Sequence, residues 1–203
     1  MRLNRIFFAR DARIVAQELL GKTFVRVIDN IELRCMITET EAYIGEIDKA
    51  CHAYGMKRTA KVEPLYGEPG ITYIYFIYGL YHCFNLITKE INIPEGVLIR
   101  AVEPLNNFDY ISNIRFKKIF DQLTKTQIKT LTNGPSKFAM AYRLTRNENL
   151  VDTITSDEIY LEDSSLTDFE IVKTKRIGID YAEEAKDFLW RYYIKGNNFI
   201  SKK

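Results

Sequence analysis

The stretch from Ile71 to Asn85 constrains the fold of this chain more than any other. Tyrosines alternate with apolar side chains along its first half, and alternation with a period of two is typical of a β-strand. Gly79 in the middle provides the backbone freedom that a tight turn requires. The stretch therefore predicts a β-hairpin with Tyr73 and Tyr75 on one face, apolar residues facing the core, and Tyr78 at an exposed tip. A tyrosine at such a tip has nothing to pack on, which indicates a partner such as a nucleic-acid base.

Short β-branched segments recur along the chain and mix with helical segments, without the regular strand–helix alternation of a parallel sheet. The predicted strands are 23–28, 33–43, 71–77, 82–88, 97–102, 158–161, 170–176 and 189–194, and the predicted helices are 12–19, 104–129, 135–142 and one from Asp180. Neither an internal repeat nor a linker divides the sequence. We therefore expect an α+β fold: one compact domain over residues 1–203, with a largely antiparallel β-sheet core, surrounding helices and a protruding β-hairpin.

Composition excludes several classes of protein. Hydrophobic residues make up 46% of the chain and charged residues 28%, the balance of a globular domain with a sizeable core. No run of about 18 apolar residues is present, so we expect no membrane-spanning helix. The three cysteines are odd in number and lack Cys-x-x-Cys spacing, which argues against a disulfide framework. These features predict a soluble, reduced, intracellular protein with no membrane partner.

Charge is distributed unevenly, although the net charge is only +2. Residues 1–26 and residues 101–150 each carry a net charge of +4, whereas residues 27–54 carry −4. A negative site inside a basic rim would suit a polyanionic ligand. Charges scattered over the surface explain the pattern equally well, because segments of sequence need not form patches in space.

Glu39 and Glu41 lie two positions apart in a predicted strand, so their side chains share one face at a separation of about 6.5–7 Å. Two carboxylates at this range repel each other, so one has a raised pKa while the other stays ionised. Such a pair suits acid–base catalysis. The pair directly precedes residues 44–70, a long irregular segment of the kind that often carries function. A solvated strand edge is the alternative interpretation.

The two histidines, His52 and His82, each adjoin a cysteine, and zinc could in principle draw on both pairs. Neighbouring side chains on an extended chain point in opposite directions, so each pair supplies one ligand more easily than two. We therefore expect no metal site. No phosphate-binding glycine loop, dinucleotide fingerprint or Gly-x-Ser-x-Gly nucleophile motif occurs either, so no cofactor is expected.

Several motifs follow one another from about residue 9 to residue 201. They are Glu39-Thr-Glu-Ala-Tyr43, Ala50-Cys-His52-Ala, Tyr73-x-Tyr75-x-x-Tyr78-Gly79, Asn85, Val97-Leu-Ile-Arg-Ala-Val-Glu-Pro104, Asn133-Gly-Pro-Ser-Lys137 and Arg176-Ile-Gly-Ile. In order and spacing they resemble the alkyladenine (3-methyladenine, methylpurine) DNA glycosylase family. The loop 58–62 departs from the family pattern, because Ala60 and Val62 stand where members more often have proline and asparagine.

The resemblance implies a monomeric base-excision-repair enzyme that acts on damaged purines in double-stranded DNA, in a prokaryotic nucleoid or a nucleus. Glu41 matches the general base that activates the attacking water, and Arg100 matches the arginine beside that water. Glu39 matches no catalytic role and is expected to be a supporting charge. No lysine or terminal amine is among the matched pocket residues, so hydrolysis without strand cleavage is expected.

The remaining matched residues surround the extruded base. Tyr43 and Tyr75 match the two rings that sandwich it, and His52 matches the histidine that hydrogen-bonds on a third side. Asn85 matches the residue that excludes a purine 2-amino group, and Tyr78 matches the wedge that fills the gap in the duplex. Alkylation at N3 or N7 makes a purine cationic, which favours stacking between tyrosines and departure without a proton.

Two other classes of function remain open at this point. A non-catalytic module could use Tyr73, Tyr75 and Tyr78 to stack on single-stranded bases, although Glu39 and Glu41 would weaken its contact with phosphates. A carbohydrate hydrolase could use the two glutamates as its acid and base and the tyrosines as sugar platforms. The basic segments favour a polyanion over a sugar.

Overall fold

Antiparallel pairing joins all the strands of the computed structural model, which describes residues 1–77, 79–164, 166 and 168–202. The strands are β1 (Thr23–Ile28), β2 (Ile31–Ile44), β3 (Thr72–Ile77), β4 (Tyr81–Thr88), β5 (Glu95–Pro104), β6 (Ile159–Glu162), β7 (Ile171–Thr174) and β8 (Arg191–Ile194). The helices are α1 (Arg5–Phe8), α2 (Ala12–Glu18), α3 (Phe108–Phe116), α4 (Lys125–Lys129) and α5 (Pro135–Ala141). The sheet order is β3-β4-β5-β2-β1-β6, and β8 pairs with both β2 and β7. The predicted α+β fold with an antiparallel sheet is confirmed.

Strand β2 is the centre of the sheet and carries both glutamates. Its hairpin with β1 turns through Asp29 and Asn30, whose φ angles of 51° and 63° suit a two-residue turn. Strand β2 is 14 residues long and pairs with β1 over residues 31–36 and with β8 over residues 39–41, while β5 pairs with residues 35–44. An irregularity in register at Glu39 marks the change of partner from β1 to β8. The predicted extension of this strand through Tyr43 is confirmed.

Aromatic packing fixes α5 against the sheet. The ring of Phe24 on β1 lies 5.2 Å from those of Phe84 on β4 and Phe138 on α5, in edge-to-face contacts. Each such pair contributes about 0.5–1.5 kcal/mol beyond the burial of its area. Pro135 is the first residue of α5, as predicted, so this packing also fixes the turn that precedes the helix.

Two predicted helices are wrong. The segment 104–129 is not one helix, because α3 ends where Lys117 adopts a left-handed φ of 58° and α4 starts anew with a capping box at Thr124. The segment after Asp180 forms only a 3₁₀ turn over Glu183–Asp187. Glu183 itself has a left-handed φ of 47°, which is incompatible with an α-helix through this position.

The hairpin of β3 and β4 extends beyond the core, as predicted. Ile74 is buried, whereas Phe76 is 44% exposed and contacts the ring of His82, so the expectation that both apolar residues face the core is wrong for Phe76. At the tip Gly79 has a φ of 67° and Leu80 is 72% exposed, while Tyr78 lies outside the described residues. No helix in the described part of the chain is long and apolar enough to cross a membrane.

Candidate active site

A cavity of about 480 Å³ opens beside the base of the β3–β4 hairpin, within the size range of small-ligand sites. Strands β2 to β5, the loop after β2 and the segment 177–181 supply its walls. Five of the predicted site residues line it: Tyr43, His52, Tyr75, Asn85 and Arg100. Glu41 lies directly behind this lining, in contact with Tyr43 and Arg100. The structure thus brings together every predicted site residue except Tyr78, which it does not describe.

Aromatic rings form two sides of the cavity. The ring of His52 packs edge-on against that of Tyr75 at 4.5 Å between centroids, and its Nδ1 lies 2.9 Å from the hydroxyl of Tyr73. Partial burial and the neighbouring Lys61 lower the pKa of His52, so its imidazole is neutral near pH 7. Burial also holds the pKa of Tyr75 well above its usual value, so this phenol keeps its proton. These walls present uncharged aromatic surface to a ligand.

One face of the Tyr43 ring is covered by a buried arginine. The guanidinium of Arg176 lies 4.7 Å from the Tyr43 ring centroid and 5.1 Å from that of Trp190. Arg176 also forms a buried bidentate ion pair with Asp48, at 2.5 and 2.7 Å. The rear of Tyr43 is therefore filled, and its opposite face is the one available to a ligand.

Glu41 is fully buried, and both of its carboxylate oxygens have partners. Oε1 lies 3.1 Å from Nη1 of Arg100 and accepts a hydrogen bond from the backbone N–H of Ile177 at 2.9 Å. Oε2 accepts from the hydroxyl of Tyr43 at 2.7 Å. Burial alone would lower the pKa of Arg100, but the charges of Glu41 and Glu39 outweigh it and raise that pKa above its usual value. Arg100 is therefore a permanent cation beside Glu41.

Glu39 is also fully buried, which rules out a solvated strand edge for the pair. It shares Arg100 with Glu41, because Nε of Arg100 lies 3.1 Å from Oε1 of Glu39. A second guanidinium, that of Arg191 on β8, lies 2.9 Å from the same oxygen. Ser201 completes the set with two hydrogen bonds to Glu39, from its backbone N–H at 2.6 Å and its hydroxyl at 2.7 Å.

Asn85 lies on the floor of the cavity with its orientation fixed. Its amide group donates to the backbone carbonyls of Tyr73 at 3.0 Å and Cys83 at 3.2 Å. Both amide protons are therefore committed, and the side-chain oxygen is the polar atom left for a ligand. This oxygen can accept a hydrogen bond from a donor group of a ligand, but it cannot hydrogen-bond to an acceptor group.

Several supporting residues escaped the sequence analysis. Arg176 belongs to a motif noted there, but its pairing with Asp48 joins residues 128 positions apart. Ser201 carries no local sequence signal at all. The cysteines are unpaired and buried, and Cys51 and Cys83 line the cavity. Burial raises the pKa of Cys83 to about 11, which keeps it a thiol. Among the described residues no group of three or more His, Cys, Asp or Glu is placed to bind a metal ion.

A cation follows the part of α5 that lines the cavity. Lys137 comes directly after Ser136, which lines the cavity, and its Nζ lies 2.8 Å from the amide oxygen of Asn133. Burial and the charge of Arg115 lower the pKa of Lys137. Lys137 therefore places positive charge next to the residues of the lining.

Comparison with known proteins gives a consistent result. The family profile described as Methylpurine-DNA glycosylase (MPG) matches residues 6–198. Two proteins of Clostridium botulinum, from strains Hall and Langeland, are 59% identical over the whole length of both chains. A protein of Clostridium perfringens strain 13 is 56% identical, again over both whole chains. All three bear the name "Putative 3-methyladenine DNA glycosylase".

Proposed function

Because the chain belongs to the methylpurine-DNA glycosylase family, we propose that it hydrolyses the N-glycosidic bond of methylated purines in duplex DNA. The observation that carries the proposal is the position of Glu41. A buried carboxylate flanked by Arg100 lies behind a cavity with aromatic walls and the volume of a small-ligand site. An enzyme that extrudes a base needs this combination: surfaces on which the base stacks, and a general base behind them.

The aromatic walls account for binding of the extruded base. Tyr43 offers its free face and Tyr75 faces the same cavity, so a purine can stack between them. Extrusion costs a few kcal/mol, and stacking returns about 1–3 kcal/mol per base. A 3-methyl or 7-methyl purine carries positive charge and gains further from two electron-rich rings. The neutral state of His52 avoids a repulsive charge next to such a base.

Glu41 acts as the general base in this mechanism. Its oxygen Oε2 contacts the Tyr43 hydroxyl, and the side chain has no exposed surface, so water reaches it only when that hydroxyl moves aside. Stacking of a base against Tyr43 supplies the displacement. Glu41 then removes a proton from water as the water attacks C1′, while the alkylated purine departs without needing a proton. Arg100 orients the carboxylate and balances its charge.

The proposed reaction ends with an intact strand that contains an abasic site. A lyase step would need an amine to attack C1′, and the described residues that line the cavity include no lysine. Tyr78 is proposed as the wedge that occupies the gap in the duplex. Lys137, which follows the lining residue Ser136, is proposed to contact a phosphate of the same DNA.

The Glu39–Glu41 geometry argues against a sugar hydrolase. An inverting glycosidase keeps water between two open carboxyl groups. Here the guanidinium of Arg100 fills that space, and Glu39 is further engaged by Arg191 and Ser201. Glu39 therefore has no free oxygen to serve as a second catalytic acid.

Analysis of the reaction products tests the proposal. Duplex DNA that contains 3-methyladenine or 7-methylguanine is incubated with the protein, and free bases are separated by chromatography. We expect release of the methylated base, with strand breaks appearing only after alkaline treatment. If no base is released from any methylated duplex, the proposed function is wrong. Breaks before alkaline treatment would contradict the hydrolysis-only mechanism.

A further inference from the structure

The segment Asn197–Lys202 packs behind the candidate site and closes on its buried charges. The hydroxyl of Thr38 donates to the backbone carbonyl of Phe199 at 2.5 Å, which holds the segment against β2. Two residues later, Ser201 reaches Glu39 with both its backbone N–H and its hydroxyl. The same hydroxyl oxygen lies 3.3 Å from Nη2 of Arg100 and accepts a hydrogen bond from it.

These contacts occupy every nitrogen of the Arg100 guanidinium. Nε donates to Glu39, Nη1 pairs with Glu41 and Nη2 donates to Ser201. Arg100 is thus shared between two carboxylates that compete for one positive charge. The two donors of Ser201 satisfy part of the charge of Glu39, which leaves more of the Arg100 charge to Glu41.

On the basis of the proposed function, we propose that Ser201 is a positioning residue for the reaction: it holds Arg100 against Glu41 by satisfying Glu39. Ser201 itself touches neither the cavity nor a reacting atom. Its effect passes through two contacts, from Ser201 to Arg100 and from Arg100 to Glu41. Ser201, 160 positions away from Glu41 in the sequence, thereby acts on the general base without touching it.

Loss of the Ser201 hydroxyl has a predictable direction. Glu39 loses one donor and attracts Arg100 more strongly, so Glu41 loses part of the cation that favours its ionised form. The acid side of the pH–rate profile should then move to higher pH in the variant. The other titratable or charged groups that act on this network stay unchanged in the variant: Tyr43 on β2, Tyr75 on β3, Cys83 on β4, Arg191 on β8 and Arg176 after β7.

The pH dependence of base release tests this role. Single-turnover rates on a 7-methylguanine duplex are measured from pH 5 to pH 9 for wild type, Ser201→Ala and Ser201→Thr. For Ser201→Ala we expect the fall in rate on the acid side to move to higher pH and the plateau rate to drop about 3- to 10-fold, because two hydrogen bonds of the hydroxyl are lost and their effect reaches Glu41 only through Arg100. Ser201→Thr retains the hydroxyl and should restore the wild-type profile.

A matched control distinguishes the positioning role of Ser201 from a general role in attaching the segment Asn197–Lys202 to the rest of the protein. Asn197 anchors the same segment through Glu103, at 2.7 Å, and does not touch Arg100 or Glu39. Asn197→Ala should lower the melting temperature without moving the acid side of the profile. If Ser201→Ala fails to fold, Ser201→Val against Ser201→Thr gives the same comparison with matched side-chain volume.

The outcomes distinguish this inference from the proposed function. A wild-type profile for Ser201→Ala, or for Ser201→Val in its place, overturns the positioning role while the glycosylase activity stands. A shift of the same size in Asn197→Ala also overturns it, because general loosening would then be the cause. Absence of base release by the wild type overturns the proposed function instead.

Discussion

A single hydroxyl group separates the carboxylate of Glu41 from the cavity. Tyr43 donates that hydroxyl to Oε2 at 2.7 Å, while Arg100 and the N–H of Ile177 hold Oε1 on the other side. Tyr43 therefore has two parts with opposite effects in the proposed mechanism. Its ring binds the base, and its hydroxyl occupies the position that the attacking water needs.

Tyr43→Phe separates these two effects. The ring and its stacking remain, and Oε2 becomes free for water, so we expect single-turnover base release at least equal to the wild-type rate. Tyr43→Ala is the control and should lose about 10-fold or more, because stacking contributes about 1–3 kcal/mol. If Tyr43→Phe loses as much rate as Tyr43→Ala, the hydroxyl takes a direct part in the reaction and does not block it.

Sequence analysis could predict the residues at the cavity but not those that support them from behind. Glu41, Tyr43 and Tyr75 stand in short motifs with recognisable spacing. Ser201 and Arg191 reach Glu39 only because the fold brings distant strands and segments together. No periodicity or local composition encodes a contact between residues 39 and 201.

At the level of elements, the strands were more predictable than the helices. The short β-branched and aromatic runs of β1 to β5 are strands in the structure, although β1, β4 and β5 are buried on both faces over most of their length. The segment 104–129 has a helical composition throughout, but Lys117 adopts a left-handed conformation and divides it. After this break the backbone N–H of Phe120 donates a hydrogen bond to the side chain of Asp109. Composition does not encode this contact.

The contact between β5 and α2 makes stability depend on pH. Glu95 on β5 is buried and accepts the N–H of Ala12, the first residue of α2, at 2.8 Å. Burial raises the pKa of Glu95 above its usual 4.5, so the folded protein holds this proton more tightly than the unfolded chain. The contribution of Glu95 to stability is therefore full below pH 4.5 and falls as pH rises through the folded pKa.

Glu95→Gln should remove this dependence. We expect the difference in melting temperature, variant minus wild type, to increase from pH 4.5 to pH 7. Ionising the buried carboxyl of the wild type costs free energy over this range, whereas the amide of the variant does not ionise. Glu90→Gln, an exposed neighbour, is the control and should show no such trend. A constant difference between Glu95→Gln and the wild type across this range would contradict the assignment.

At the level of the whole molecule, ion pairs decide which basic segment can bind DNA. All six cations of residues 1–26 pair with carboxylates, at Asp157, Asp152, Glu18, Asp11, Asp163 and Glu148. Of the eight in residues 101–150, only Arg143 forms an ion pair among the described residues. The expectation that both segments face a polyanion stays a prediction, and these pairings favour the second segment.

Salt dependence of binding tests this assignment. If three or four phosphates are neutralised, the logarithm of the binding constant should fall with log salt at a slope of about −3 to −4. Lys137→Gln should make the slope shallower by about 1. Lys22→Gln, which breaks the pair with Asp163, should leave the slope unchanged. If Lys22→Gln makes the slope shallower by as much as Lys137→Gln does, residues 1–26 contact the DNA as well.

The most direct test of the central claim is the single-turnover rate of Glu41→Gln on a methylated duplex, measured together with its affinity for that duplex. General-base catalysis contributes about 10²–10⁴ in rate, so we expect a loss of at least that size. Affinity should stay within several-fold of wild type, because Glu41 lies behind the cavity wall and grips no part of the DNA. Glu46→Gln, an exposed glutamate nearby, serves as the control and should keep the full rate. If Glu41→Gln keeps a substantial fraction of the wild-type rate, Glu41 is not the general base.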